Sequence, residues 1–187
     1  GRNQITMFSG DKMSAMGSES FEQMKKEIPI SSDKKLTAYV QCVADQITPN
    51  VSKDAHNGNW EVVLFESDHI NAFALPGGKI GVYTGILKVT ENQDQLAAIM
   101  GHEVGHVIAN HSNERLSSNS VAQGALQISG VLLSGQDEQT QGLVMAGLGV
   151  GVQYGVLMPY GRTHEKEADI IGQELMAVSG FNPKAAV

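Results

Sequence analysis

His102 and His106 stand four residues apart in the run His102-Glu103-Val104-Gly105-His106, with a carboxylate beside the first of them. Each residue of an α-helix turns about 100° around the axis, so side chains four apart differ by only about 40°. On a helix the two imidazoles therefore point the same way and can share one metal ion. Glu103 projects to the side of the pair, where its carboxylate can reach a water on the metal without being a ligand. A catalytic zinc site takes three protein ligands and keeps a position open for water, so a third ligand has to come from elsewhere. One extension of the motif places a histidine six residues beyond the second, after a glycine at the third; here those positions hold Ser112 and Ala109, which excludes it. The other common solution is a glutamate on a later helix, often followed four residues on by an aspartate. The run 161–169, Gly-Arg-Thr-His-Glu-Lys-Glu-Ala-Asp, supplies both. Glu165 is the expected third ligand. Asp169 shares its helical face and is expected to accept the free ring N–H of a ligand histidine, fixing its tautomer. Glu167 falls on another face and is a poor ligand candidate. The competing reading, a solvated acidic face partnered by Arg162 and Lys166, weakens once the paired histidines are taken into account.

These side chains need helices to carry them. From about residue 92, Leu96, Ile99, Met100, Val104 and Val107 recur three or four apart, which predicts the helix bearing the motif. Ala97, Ala98, Gly101 and Gly105 leave room for a second helix to approach it. That second helix is predicted over 161–179, with Gly180 and Pro183 as its stop. A helical hairpin, about 113–134 and 138–158, is expected to join them across a polar turn at 134–137. Gly147, Gly151 and Gly155 repeat every four residues in its uncharged second half. Gln139, Gln141 and Gln153 dilute the apolarity there, which favours a helix packed on its neighbour, or a lid over the cleft, over a membrane span. Ahead of the motif, residues 60–66, 71–75 and 79–84 read as strands, the last two joined by the turn Pro76-Gly77-Gly78. Amphipathic stretches at about 19–28 and 33–48 read as helices, and residues 1–18 as an irregular arm. The expected fold is α+β and helix-dominated, with one domain over 19–187 and a small three-stranded sheet packed on the active-site helix.

Composition bounds the function. The 187 residues carry a net charge of −7 and no basic run, which argues against nucleic acid or an anionic membrane surface as the main partner. A hydrophobic content of 41% against 18% charged residues fits a globular domain with a real core. The single cysteine, Cys42, excludes an internal disulfide and is expected to be a small buried packing residue. The chain opens on Gly-Arg-Asn, without an initiator Met or an apolar signal core. It is therefore expected to be either a trimmed cytosolic chain or one that has lost a targeting segment. Of the remaining histidines, His56 and His69 are expected in solvated loops. His111, five residues past His106, is expected to face away from the ligand pair and to cap or pack. His164 has a small claim to touch substrate.

Three separated motifs, Asn71-to-Leu87 (NAFALPGGKIGVYTGIL), GHEVGHVIANH and GRTHEKEAD, resemble in their order the HtpX and Oma-type zinc metallopeptidases, metallopeptidase family forty-eight. The likeness covers about residues 30–183 and is closer to the soluble periplasmic members. It implies a zincin-like fold of the gluzincin type, one zinc ion on His102, His106 and Glu165, Glu103 as the catalytic carboxylate, and Asp169 behind the ligands. It also implies endoproteolysis of misfolded or membrane-associated envelope proteins in the bacterial periplasm. Attachment to the outer membrane through a lost N-terminal anchor belongs to the same expectation. Asn71 and Ala72 are expected to lie on a strand edge that pairs with an extended, unfolded polypeptide, against the alternative of an ordinary covered strand. Two departures stand out: Gly161 replaces the family's usual serine, and the chain ends at Val187, before the expected His-Pro segment. A binding or chaperone-like module that keeps zinc without cutting, or a latent protease, therefore stays open beside the active enzyme.

Overall fold

A computed structural model of the chain describes residues 3–121 and 160–186. Helix α1 (Gly10–Glu27) opens with the Ser9 side chain accepting from the Lys12 N–H, and it buries Met13, Gly17 and Phe21. Residues 10–18, expected to be part of an irregular arm, are thus helical. Glycine occupies one of the three inward positions, which hides the apolar period from a reading of the sequence. Ahead of α1 the chain is extended and tied down: Asn113 accepts from the Phe8 N–H and donates back to the Phe8 carbonyl.

Helix α2 (Lys34–Ile47) is capped by Asp33 and buries Val40, Val43, Ala44 and Ile47, one continuous stripe. Cys42 is exposed, contrary to expectation. Two residues past Val40, it sits about 200° around the helix from that stripe, and apolar neighbours in sequence do not make it a core residue.

Strands β1 (Glu61–Phe65), β2 (Ala72–Leu75) and β3 (Lys79–Tyr83) fall where the alternation and turn residues placed them. The sheet order is β1-β3-β2, with β1 parallel and β2 antiparallel to the central β3. Gly77 and Gly78 turn the β2–β3 hairpin with φ of 88° and 70°, a left-handed backbone that glycine adopts without steric cost. Both faces of the sheet are covered. Phe65, Phe73, Leu75 and Tyr83 face α1 and enclose Phe21. Leu64, Ala72, Ala74, Ile80 and Val82 face α2 and the helix that follows.

Helix α3 (Gln93–Ile108) starts at Asn92, whose side chain accepts from the Gln95 N–H, and carries the histidine motif against β2. It ends at Asn110, a non-glycine residue with φ of 56°. Helix α4 begins at once and is described over residues 111–121; the rest of the expected hairpin, with its glycine repeat, lies outside the described residues. Helix α5 (Arg162–Val178) buries Ala168, Gly172, Leu175 and Met176 against α3 and stops at Gly180, φ 83°. The Asn182 N–H donates to Asp94 at the start of α3, so the two helices run antiparallel. The expected class holds: helices dominate, and a small mixed sheet backs the motif helix.

One charge cluster locks α1 to the sheet. Glu61 bridges Lys25 and Lys79, each at 2.7 Å. Hydrogen bonds from Lys25 first, then Lys79, hold its carboxyl below the usual 4.5. A depressed acid stabilises the fold above its ordinary pKa, and that stability is lost as pH falls through the depressed value. Glu61→Gln is expected to cost about 1 kcal/mol at neutral pH, since the group is partly exposed. Urea melts should show the gap closing in acid; a pH-independent gap would mean the charge is not its source.

Candidate metal centre

Small residues let α3 and α5 touch backbone to backbone. A Cβ added at Gly172 would lie 2.8 Å from the His102 backbone N and 2.9 Å from the Gly101 carbonyl carbon. One added at Gly105 would lie 2.8 Å from the Ala168 carbonyl oxygen. The antiparallel crossing brings the first two turns of α5 beside His102 and His106. His102 Nε2 lies 3.0 Å from His106 Nε2 and 3.3 Å from Glu165 Oε2; His106 Nε2 lies 3.8 Å from Glu165 Oε1. Asp169 reaches His102 Nδ1 at 2.8 Å. The four residues picked from spacing are thus brought together.

His111 does not face away as expected. It is fully buried, its Nδ1 lies 2.9 Å from His106 Nδ1, and its Nε2 lies 3.1 Å from Glu167 Oε2. On one unbroken helix a residue five positions on would point about 140° away. The left-handed turn at Asn110 ends α3 and sends α4 back past its own last turn. Glu167, set aside as a ligand, is the carboxylate that meets His111. Tyr160 also joins the site: its ring stacks on His106 at 3.9 Å between centroids, with the Arg115 guanidinium 4.1 Å from its centroid. Its hydroxyl lies 3.1 Å from Ser112 Oγ. His164 pairs with Glu114 at 3.1 Å and packs on the His111 ring. His69 is exposed as expected, whereas His56 is half-buried against Trp60.

The donor set suits a cation. Ionised Asp169 only accepts, so His102 carries its proton on Nδ1 and leaves Nε2 bare. Ionised Glu167 likewise accepts from His111 Nε2–H, so His111 Nδ1 accepts from His106 Nδ1–H, and His106 Nε2 is bare too. Two lone pairs and a carboxylate then converge on one point, an arrangement that repels itself unless positive charge lies between. A tetrahedral zinc with bonds near 2.0–2.1 Å sets its ligand atoms about 3.3 Å apart; the observed separations of 3.0, 3.3 and 3.8 Å bracket that value. Among the described residues, His102, His106 and Glu165 are the group whose ligand atoms converge in this way. Burial, then the nearness of the His102 imidazole, pushes His106 down to about 3, which keeps it neutral. Burial, then the charge of Glu165, pushes Glu103 up to about 8, although part of its surface stays open.

Among the described residues β2 lies at the edge of the sheet, and all four of its residues are buried. Asn71 is nevertheless engaged with β3, since its carbonyl accepts from the Tyr83 N–H at 3.0 Å. Antiparallel pairing alternates, so Ala72 and Ala74, not Asn71, turn their backbone groups away from β3. A cavity of about 250 Å³ opens beside His106, between α1, the 53–57 loop and the Pro76-Gly77 turn.

Two histidines on one helix, a glutamate from a crossing helix and a supporting sheet define a domain of the metallopeptidase type. The family model described as Peptidase family M48 matches residues 34–187, and the chain belongs to that family. Membership implies a metal cofactor, and it agrees with the resemblance drawn from the three motifs. The chain is 34% identical over 127 residues to the mitochondrial metalloendopeptidase OMA1 of Schizosaccharomyces pombe, covering 68% of this chain and 35% of that protein. It is 28% identical over 185 residues to the beta-barrel assembly-enhancing protease of Escherichia coli K12, covering 96% of this chain and 37% of that protein. The Arabidopsis thaliana OMA1 is 36% identical over 130 residues, covering 68% of this chain and 24% of that protein. The chain therefore spans only 24–37% of the length of these relatives.

Proposed function

We propose that this chain is a zinc-dependent endopeptidase domain that hydrolyses peptide bonds of misfolded or membrane-associated envelope proteins. The observation that carries the reading is the convergence of His102, His106 and Glu165 beside Glu103. His102, His106 and Glu165 hold the ion; Asp169 keeps the His102 ring in its ligating tautomer. A zinc ion there supplies Lewis acidity for activating water and polarising a carbonyl. Glu103 takes the proton from the attacking water and returns it to the leaving amine. The β2 edge at Ala72 and Ala74, beyond which no further strand lies among the described residues, pairs with an extended substrate through backbone hydrogen bonds, giving broad tolerance of side chains.

A bacterial periplasmic setting, with attachment to the outer membrane through an N-terminal anchor, is part of the same reading and is supported by the motif resemblance. No described helix is long and apolar enough to cross a membrane. The test is metal analysis of the purified chain with a casein-cleavage assay. Near-stoichiometric zinc is expected, with cleavage stopped by a chelator and restored by zinc. Zinc retained without any cleavage would favour a zinc-holding binding module instead.

A further inference from the structure

The two ligand histidines are supported differently. His102 meets a carboxylate directly, through Asp169 at 2.8 Å. His106 meets His111 at 2.9 Å, and His111 in turn meets Glu167 at 3.1 Å. We propose that His111 and Glu167 are a positioning pair for His106, doing through an interposed imidazole what Asp169 does directly for His102. The inference rests on the zinc reading and extends it to residues on α4 and the far side of α5.

The geometry explains why an intermediate is needed. Glu167 lies two residues from both Glu165 and Asp169, about 200° around α5 from each. It cannot reach the ligand pair on their face. His106 is nearly enclosed, its side chain 3% exposed, and its Nδ1 points towards α4 rather than along α5. The Asn110 turn sets His111 in the gap, where one ring nitrogen meets His106 and the other meets Glu167. An imidazole suits this position because its two nitrogens can accept at one edge and donate at the other. Glu167 fixes His111 with its proton on Nε2, so that Nδ1 accepts from His106. The same hydrogen bond turns the His106 ring and leaves its Nε2 lone pair aimed at Glu165 and His102. Partners of this kind raise ligand basicity, and their loss costs about 10–100-fold in metal affinity.

The alternative role for His111, filling buried space, predicts a different outcome. His111→Phe keeps a ring and removes the acceptor; His111→Asn loses ring volume but keeps an acceptor near the Nδ1 position. Zinc affinity is read by competition with a chromophoric chelator, and the melting temperature of the metal-free chain is read in parallel. His111→Phe is expected to bind zinc about 10–100-fold more weakly, with His111→Asn recovering most of the loss. The metal-free melting temperatures should not follow that order. Unchanged affinity in His111→Phe, or an equal loss in His111→Asn, would overturn the proposal. Glu167→Ala supplies a second route, because this side chain is 32% exposed and its removal opens less buried space than a change at His111. About tenfold weaker zinc binding is expected there, and wild-type affinity would count against the pair. Wild-type chain that binds no zinc at all would instead overturn the metal site itself.

Discussion

Glu103→Gln is expected to lower turnover by about 10²–10⁴-fold, the usual contribution of a general acid–base group, while zinc content stays at the wild-type level. The substitution is nearly isosteric, so it changes what the group can do rather than the space it fills. A glutamine cannot take a proton from water and cannot return one to the leaving amine. Because His102, His106 and Glu165 supply the converging donor atoms, the ion does not depend on Glu103. In the metal-free chain, burial and then Glu165 hold the Glu103 carboxyl up at about 8. A cation between the histidines reverses that balance by favouring the ionised form, which is the form a general base requires. KM should change little, since the lost interaction belongs to the transition state. Steady-state kinetics on casein with parallel metal analysis make the check. Wild-type turnover in Glu103→Gln would remove the residue from the mechanism. Loss of zinc along with activity would make Glu103 a ligand instead.

Much of this site could be read from residue spacing because helical geometry is local. The four-residue spacing of His102 and His106, and of Glu165 and Asp169, sets a common face whatever the rest of the chain does. The strands were equally legible, since Pro76-Gly77-Gly78 can hardly be anything but a turn. What escaped depended on where helices stop. The place of His111 is not legible because Asn110 adopts a left-handed backbone, a choice that asparagine tolerates but does not announce. Once α3 breaks there, a five-residue separation no longer means opposite faces. Glu167 lies on a different helical face from Glu165, and its partner on α4 is not legible without that break. Cys42 differs for the opposite reason: its helix is legible, but apolar neighbours in sequence do not fix its place on the circumference. The first half of α1 is hidden in the sequence because Gly17 occupies an inward position where an apolar side chain would show the period. The small residues on α3, in contrast, signalled a close helix crossing in advance.

That crossing yields the second large effect, and its sign is the informative part. Gly172→Ala in an exposed helix interior should stabilise by about 1 kcal/mol through helix propensity. Here the added methyl would stand 2.8 Å from the backbone N of His102 and 2.9 Å from the Gly101 carbonyl carbon. Backbone cannot swing aside as a flexible side chain can, so α5 has to move away from α3. Overpacking of this kind costs about 1–3 kcal/mol, enough to offset the propensity gain and make the variant less stable. Gly172→Val should be worse on both counts, being larger and β-branched. The displacement also reaches the site. Gly172, Asp169 and Glu165 lie at i, i−3 and i−7 on one face of α5, so a shift at Gly172 carries both carboxylates away from the histidines. Zinc affinity should therefore fall in the order wild type, Gly172→Ala, Gly172→Val, in step with urea stability. Gly10→Ala, whose added Cβ meets nothing within 4 Å, serves as the control and should leave zinc affinity unchanged. If Gly172→Ala proved more stable than wild type and bound zinc as tightly, the helices would have slack at their crossing. The site's geometry would then have to be set by its side chains rather than by the contact of two backbones.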